Sequence, residues 1–137
     1  MKIYLDFDGT VVEHYFPHIG AENPHAIHVI SRLQEAGHEI ILNTYRADIH
    51  LKHVHEALDF IHTFEAISQP IEKFLPNKLE PRSFDLSRAI ESQQLYIDDI
   101  AEGIPMRRNQ VLEYGMMVDW VALEKKLDEY GIFNQQP

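Results

Sequence analysis

Five oxygen-bearing side chains stand at or just beyond the ends of three short apolar runs, and their placement decides what chemistry is open to this chain. Ile3-Tyr4-Leu5 leads into Asp6 and then Asp8, Ile40-Ile41-Leu42 leads through Asn43 into Thr44, and Leu95-Tyr96-Ile97 leads into Asp98 and Asp99. Continuous rather than alternating hydrophobicity is the pattern of strands covered on both faces, as in a parallel sheet. Open parallel sheets bind ligands beyond the carboxyl ends of their strands. Asp6, Asp8, Thr44, Asp98 and Asp99 are therefore expected on one rim. Four carboxylates in one small volume repel, so either some carry protons or a cation sits among them. An oxygen-only ligand set without His or Cys suits a hard ion, with Mg²⁺ the usual choice. A divalent ion held by acids is in turn a site for a phosphoryl oxygen. Phosphate chemistry is the expectation.

The segments between the runs must position these groups. Asn23 can cap a helix that starts at Pro24, carries Ile27, Ile30 and Leu33 on one stripe and stops at Gly37. Asp48 can cap a second helix, with Leu51, Val54, Leu58 and Ile61 at helical spacing. Asp119 precedes a third, with Trp120, Leu123, Leu127 and Tyr130, ended by Gly131. Glu65 to Ser68 and Val111 to Tyr114 are weaker strand candidates. The stretch 69–84, with Pro70, Pro76 and Pro81, reads as an irregular loop, and 134–137 as a polar tail. Strand and helix in alternation predict an α/β fold: one three-layer Rossmann-like domain over 1–137, with right-handed crossovers and a central, mainly parallel sheet.

Composition narrows the possibilities further. The 137 residues carry 12 Lys plus Arg against 22 Asp plus Glu, a formal charge of −10. That balance argues against a nucleic-acid-coating or membrane-surface protein, because both need a basic face. Without cysteine there is no disulfide framework, Cys nucleophile or thiolate zinc site. No apolar run approaches the roughly 20 residues of a membrane span, and Asp6 interrupts what a signal peptide would need. A soluble, cytoplasmic protein is expected.

Asp6-Phe7-Asp8-Gly9-Thr10 after an apolar strand resembles motif I of the haloacid dehalogenase (HAD) superfamily of phosphohydrolases. Thr44 is similar to its motif II, and Asp98-Asp99 to its motif IV. The resemblance covers most of the chain, from Met1 to about the strand after Asp99, and implies a Mg²⁺-dependent phosphomonoester hydrolase working through an aspartyl-phosphate. It implies Asp6 as nucleophile, and Asp8 as general acid and then general base. Asp6, the Asp8 carbonyl and Asp98 would hold the metal, with Asp99 acting through a water or on a neighbour. Thr44 would donate its hydroxyl to a phosphoryl oxygen. The family's motif III cation has no match in Ile90-Glu91-Ser92-Gln93-Gln94, just before the third run. Lys78 is the preferred candidate for that role, with Lys73 and Arg88 as substitutes. Gly9, Thr10, Asn43, Arg46 and His14 complete the candidate substrate contacts; Thr44-Tyr45-Arg46 resembles a Thr-x-Arg pattern of small members, whose guanidinium suits bidentate phosphate binding.

The spaces where such enzymes insert a specificity cap hold only a short flap, 11–23, and the 69–84 loop, so a HAD-like member without a large cap is expected. A bare site suits a bulky phosphorylated substrate or a homo-oligomer that covers it. Within the flap, Tyr15 and Phe16 are expected to pack against the domain. Among nine histidines, His25 and His28 are three apart, as are His50 and His53, yet neither pair has the Glu companion of a hydrolase zinc motif. Trp120 is expected in the core. Two other functions stay open: a receiver-like phospho-accepting signalling domain, and a non-catalytic HAD-like binding protein. The first is disfavoured because receivers carry their acceptor on a middle strand.

Overall fold

The computed structural model describes residues 1–108 and 115–134. Strands β1 (Lys2–Leu5), β2 (Glu39–Leu42) and β3 (Gln94–Ile97) form a parallel sheet in the order β2-β1-β3. Leu5 lies opposite both Leu42 and Ile97, so the three strands end level. The residues that follow, Asp6, Asn43 and Asp98, therefore emerge side by side. Asp6 N donates to Ile97 O (2.9 Å) and Asn43 N to Leu5 O (2.8 Å), which carries the ladder one step past the strands. Ile3, Leu5, Leu42 and Ile97 are fully buried; each such side chain contributes about 1.5–3 kcal/mol, so a one-residue slip of register would be strongly disfavoured.

Helix α1 (Ala26–Glu35) packs its Ile27, Ile30 and Leu33 stripe inward, as expected. Its start differs. His25, with φ 73°, precedes the first helical residue, and Asn23 does not cap. Both amide hydrogens of Asn23 go instead to Thr10 O (2.9 Å) and Val118 O (2.7 Å), fastening the base of the flap to the C-terminal part of the chain. At the far end Gly37, φ 86°, takes the left-handed position, and His38 N donates to Leu33 O.

The second predicted helix is two. α2 (Arg46–Ile49) and α3 (Leu51–His62) are separated by an extended His50, whose ring accepts from Lys52 N (2.9 Å) and so does the capping expected of Asp48. The stripe Val54, Leu58 and Ile61 is buried as expected, while Leu51 is exposed. Glu65–Ser68 is not a strand; Glu65 and Ala66 form a turn, and Ala66 O accepts the Ser31 hydroxyl. The 69–84 segment is more ordered than a free loop, because Leu42 pairs with Phe74 in a parallel bridge at the open edge of β2.

Helix α4 (Leu86–Ser92), capped by Asp85, was not anticipated. Its seven residues are too few to show a helical period. β4 (Met106–Arg108) and β5 (Met116–Val118) pair antiparallel. The predicted strand Val111–Tyr114 and residues 135–137 of the predicted tail lie outside the described residues. Helix α5 (Trp120–Glu129) begins at its Asp119 cap, and a 3-10 turn, Ile132–Asn134, closes the described chain. Trp120 is fully buried and donates its indole N–H to Thr10 O (2.7 Å), as a core anchor should. The fold is α/β with a three-stranded parallel sheet. Among the described residues, no helix is long and apolar enough to cross a membrane.

Candidate functional site

Level strand ends bring one carboxylate oxygen each from Asp6, Asp98 and Asp99 within 4.8 Å of one another. Asp6 is nearly enclosed. Its Oδ2 accepts the Thr10 hydroxyl (2.8 Å), and Lys78 Nζ stands 3.2 Å from its Oδ1. The same ammonium lies 2.9 Å from Asp98 Oδ2, so one buried cation is shared by two buried acids. Asp99 is met by His14 Nε2 at 2.9 Å.

The electrostatics follow from burial and crowding. Burial, then the Asp98 charge, pushes Asp6 well above the ordinary carboxylate range, against the pull of Lys78 and Thr10. Burial likewise lifts Asp98 by more than Lys78 lowers it. It raises Asp99 too, but there the hydrogen bonds from His14, Asp6 and Asp98 prevail and bring the group below its usual value. His14 is held above its usual value, chiefly by its bond to Asp99. Lys78 loses by burial and regains more from Asp6 and Asp98, so it is cationic at neutral pH. Two acids that hold protons too tightly around one shared ammonium form a site with too little positive charge. A hard divalent cation matches that donor set, since it takes carboxylate oxygens and keeps waters of its own.

Lys78 arrives because its loop is clamped to the segment after β2. The Asn43 side chain exchanges two hydrogen bonds with the Leu79 backbone: Nδ2 donates to Leu79 O (3.0 Å), and Oδ1 accepts Leu79 N (2.8 Å). Asp48 Oδ2 accepts Lys78 N (3.1 Å), the Tyr45 hydroxyl donates to Glu80 (2.9 Å), and the Tyr45 ring sits 4.3 Å from Lys78 Nζ. Neither substitute reaches the acids. Lys73 is exposed and paired with Glu39 (3.1 Å), and Arg88 is exposed on α4.

Three of the candidate substrate contacts are placed otherwise than expected. Asn43 is fully buried and holds the Lys78 loop. Thr10 is fully buried; its oxygen accepts Asp99 N (3.1 Å) while its hydrogen goes to Asp6, so it orients both acids. Arg46 lines the cavity with its guanidinium already clasping Asp8: Nε and Nη2 meet the two Asp8 oxygens at 2.8 Å each. Its other N–H groups go to the carbonyls of Pro17, His18 and His53. All five donors of a guanidinium are thus committed.

Thr44 accepts Arg46 N (3.2 Å), which leaves its hydroxyl hydrogen for the cavity that it lines. Gly9, φ 80°, turns the chain where a Cβ would strike the His14 ring and the Asp99 carboxylate. The cavity has a volume of about 350 Å³. Asp6, Asp8, His14, Thr44, Arg46, Lys78 and Asp99 supply its polar wall, and Phe16, Tyr45, Ile49 and Ile100 its apolar one. Phe16 stacks edge-on against His53 as a flap anchor, yet also faces the cavity; Tyr15 is largely exposed instead of packed. Sequence reasoning missed Tyr45, Asp48, Ile49 and Ile100. Only Tyr45 carried a signal, by standing between Thr44 and Arg46. An apolar side chain at a helix end, as Ile49, or in a turn, as Ile100, looks the same in a sequence whether it lines a core or a cavity.

No protein-family model and no curated protein matches the chain. A conserved protein from Bacteroides thetaiotaomicron of solved structure is similar to it at 26% identity and a TM-score of 0.58, over 94% of this chain and 90% of that one.

Proposed function

We propose that this chain is a HAD-like, Mg²⁺-dependent phosphomonoester hydrolase without a large cap, acting through an aspartyl-phosphate on Asp6. The observation that carries the reading is the shared register of β1, β2 and β3, which puts Asp6, Thr44 and Asp99 around one cavity, with Lys78 between Asp6 and the buried Asp98. The crowding of three carboxylates around one ammonium and the raised proton affinities of Asp6 and Asp98 support a cation held by Asp6, Asp98 and Asp99. When bound, the ion supplies charge neutralisation for a phosphoryl group and for the nucleophile beside it.

The residues then divide the work. Asp6 attacks phosphorus; the P–O ester bond breaks, and Asp8 gives its proton to the leaving oxygen. Asp8 next takes a proton from water, which attacks phosphorus and releases inorganic phosphate and free Asp6. Thr44 and Lys78 donate to the phosphoryl oxygens, so little beyond positioning and charge is required. Arg46 holds Asp8 in place while tying it to the flap carbonyls. The leaving group faces Phe16, Tyr45, Ile49 and Ile100, a wall that suits an apolar or flat moiety better than a second phosphate.

Release of phosphate from p-nitrophenyl phosphate tests the proposal. Turnover is expected with Mg²⁺, none in EDTA, and none in Asp6→Asn; undiminished turnover in chelator would overturn the metal role. The receiver reading keeps one argument in its favour, since β1 is first in sequence but central in the sheet. A phosphoenzyme lasting minutes would favour it over hydrolysis.

A further inference from the structure

Away from the carboxylate rim, α1 and α5 bring a second ligand set together. We propose that His25, His28 and Glu124 form a zinc site that ties the start of α1 to α5. His25 Nε2 lies 2.7 Å from Glu124 Oε1, and His28 Nε2 lies 3.1 Å from Glu124 Oε2. Two imidazole nitrogens and a carboxylate oxygen, all within 4.8 Å of one another, match a common zinc donor set with one position open to water. Zinc bonds of about 2.0–2.2 Å place ligands about 3.3 Å apart in a tetrahedron, so small rotations of three partly exposed side chains admit the ion. The spacing of His25 and His28 alone did not carry this, because the Glu companion comes from a helix near the other end of the chain.

Two features build the site beyond a surface ion pair. His25 takes φ 73°, unusual for a non-glycine residue, and this conformation precedes α1 with the ring against His28, centroids 4.6 Å apart. Glu124 is held from behind: Arg32 Nη1 donates to its Oε2 (3.0 Å), and the Arg32 guanidinium is itself seated 3.8 Å over the Phe133 ring. Such an outer partner fixes the direction of a ligating carboxylate. Oε2 stays with Arg32, Oε1 turns to the ion, and each imidazole moves its proton from Nε2 to Nδ1 as Nε2 binds. A nitrogen-containing set of this kind favours Zn²⁺ over Mg²⁺, the reverse of the oxygen-only rim.

The test is titration of the metal-free protein with Zn²⁺ by calorimetry, and with Co²⁺ by visible absorption, in the presence of millimolar Mg²⁺. Wild type and Asp6→Asn are expected to bind one equivalent with a tetrahedral cobalt spectrum. His28→Ala and Glu124→Gln, at exposed or half-exposed positions, are expected to keep the fold and to weaken binding at least ~10-fold. Zinc should raise the melting temperature of wild type and leave that of His28→Ala unchanged. Binding lost in Asp6→Asn but kept in His28→Ala would overturn the proposal, as would an octahedral cobalt spectrum or the absence of a saturable equivalent. None of these readouts depends on phosphatase activity, so the two proposals fail separately.

Discussion

Among the described residues, two clusters of side chains could hold a metal ion, and they solve the problem of charge in opposite ways. Around Asp6, Asp98 and Asp99 the acids are buried and outnumber their cations, so Asp6 and Asp98 hold protons more tightly than free carboxyls do. Around Glu124 one acid is surrounded by His25, His28 and Arg32; burial pushes it up, but those partners prevail and bring it below its usual value. The first cluster is poised to gain from a hard cation. The second is balanced without one, and only softer nitrogen ligands give an ion a reason to enter. Carboxylate number alone does not choose an ion; the mix of oxygen and nitrogen donors and the cations beside them bear on it as well.

The largest test separates the two as chemistry. Asp6→Asn should lower phosphate release by at least ~10³-fold, while Glu124→Gln leaves it within about twofold, measured with saturating Mg²⁺. Equal losses would erase the distinction. Next in size is the support beneath the rim. Asn43→Ala removes both bonds to Leu79 and loosens Lys78; a loss of stability of about 1–3 kcal/mol is expected for the orphaned backbone groups, with turnover down ~10-fold or more. Unchanged turnover would show that Lys78 reaches the acids without its clamp.

A smaller effect differs in sign between the regions. A carboxyl whose folded pKa is raised loses stability as pH climbs past its ordinary 3.8, so Asp98→Asn should stabilise the protein in EDTA at pH 7, by roughly 0.5–2 kcal/mol. Glu124 has a lowered folded pKa, so its contribution is present above 4.5 and lost as pH falls through the folded value. Glu124→Gln should therefore destabilise, by about 1 kcal/mol or less for so accessible a group. Urea melts of both variants decide this, and a shared sign would end the contrast.

The smallest expected effect lies at the mouth of the cavity. His14 is raised and contributes fully below 6.5, losing its effect as pH rises through the folded value. Asp99 is lowered and contributes above 3.8, losing its effect as pH falls through the folded value. Their ion pair thus stabilises between those limits, weakly because His14 is half exposed. His14→Ala should flatten the stability profile in that window and nowhere else.

Much of the rim was legible in the chain because strand ends are local. An apolar run followed by Asp or Thr is a statement about consecutive residues, and parallel strands of equal length must end together once their hydrophobic faces are in register. The helix stripes of α1, α3 and α5 were legible for the same reason. Their starts were less so. Asn23 had the right chemistry for a cap, but a buried amide serves whichever carbonyls the fold brings near, here those of Thr10 and Val118. α4 offered only a cap residue and seven positions.

What the chain determined alone is the set of acids, their order and the strand ends that carry them, because covalent neighbours and hydrophobic periodicity act over a few residues. Only the tertiary structure decided that Lys78 rather than Lys73 or Arg88 stands between Asp6 and Asp98, that Arg46 clasps Asp8, and that Glu124 meets two histidines on α1. Each of those contacts spans from 20 to 99 residues. A side chain's partner across such a distance is set by which loops the sheet and its helices hold together, and residue type carries no record of that.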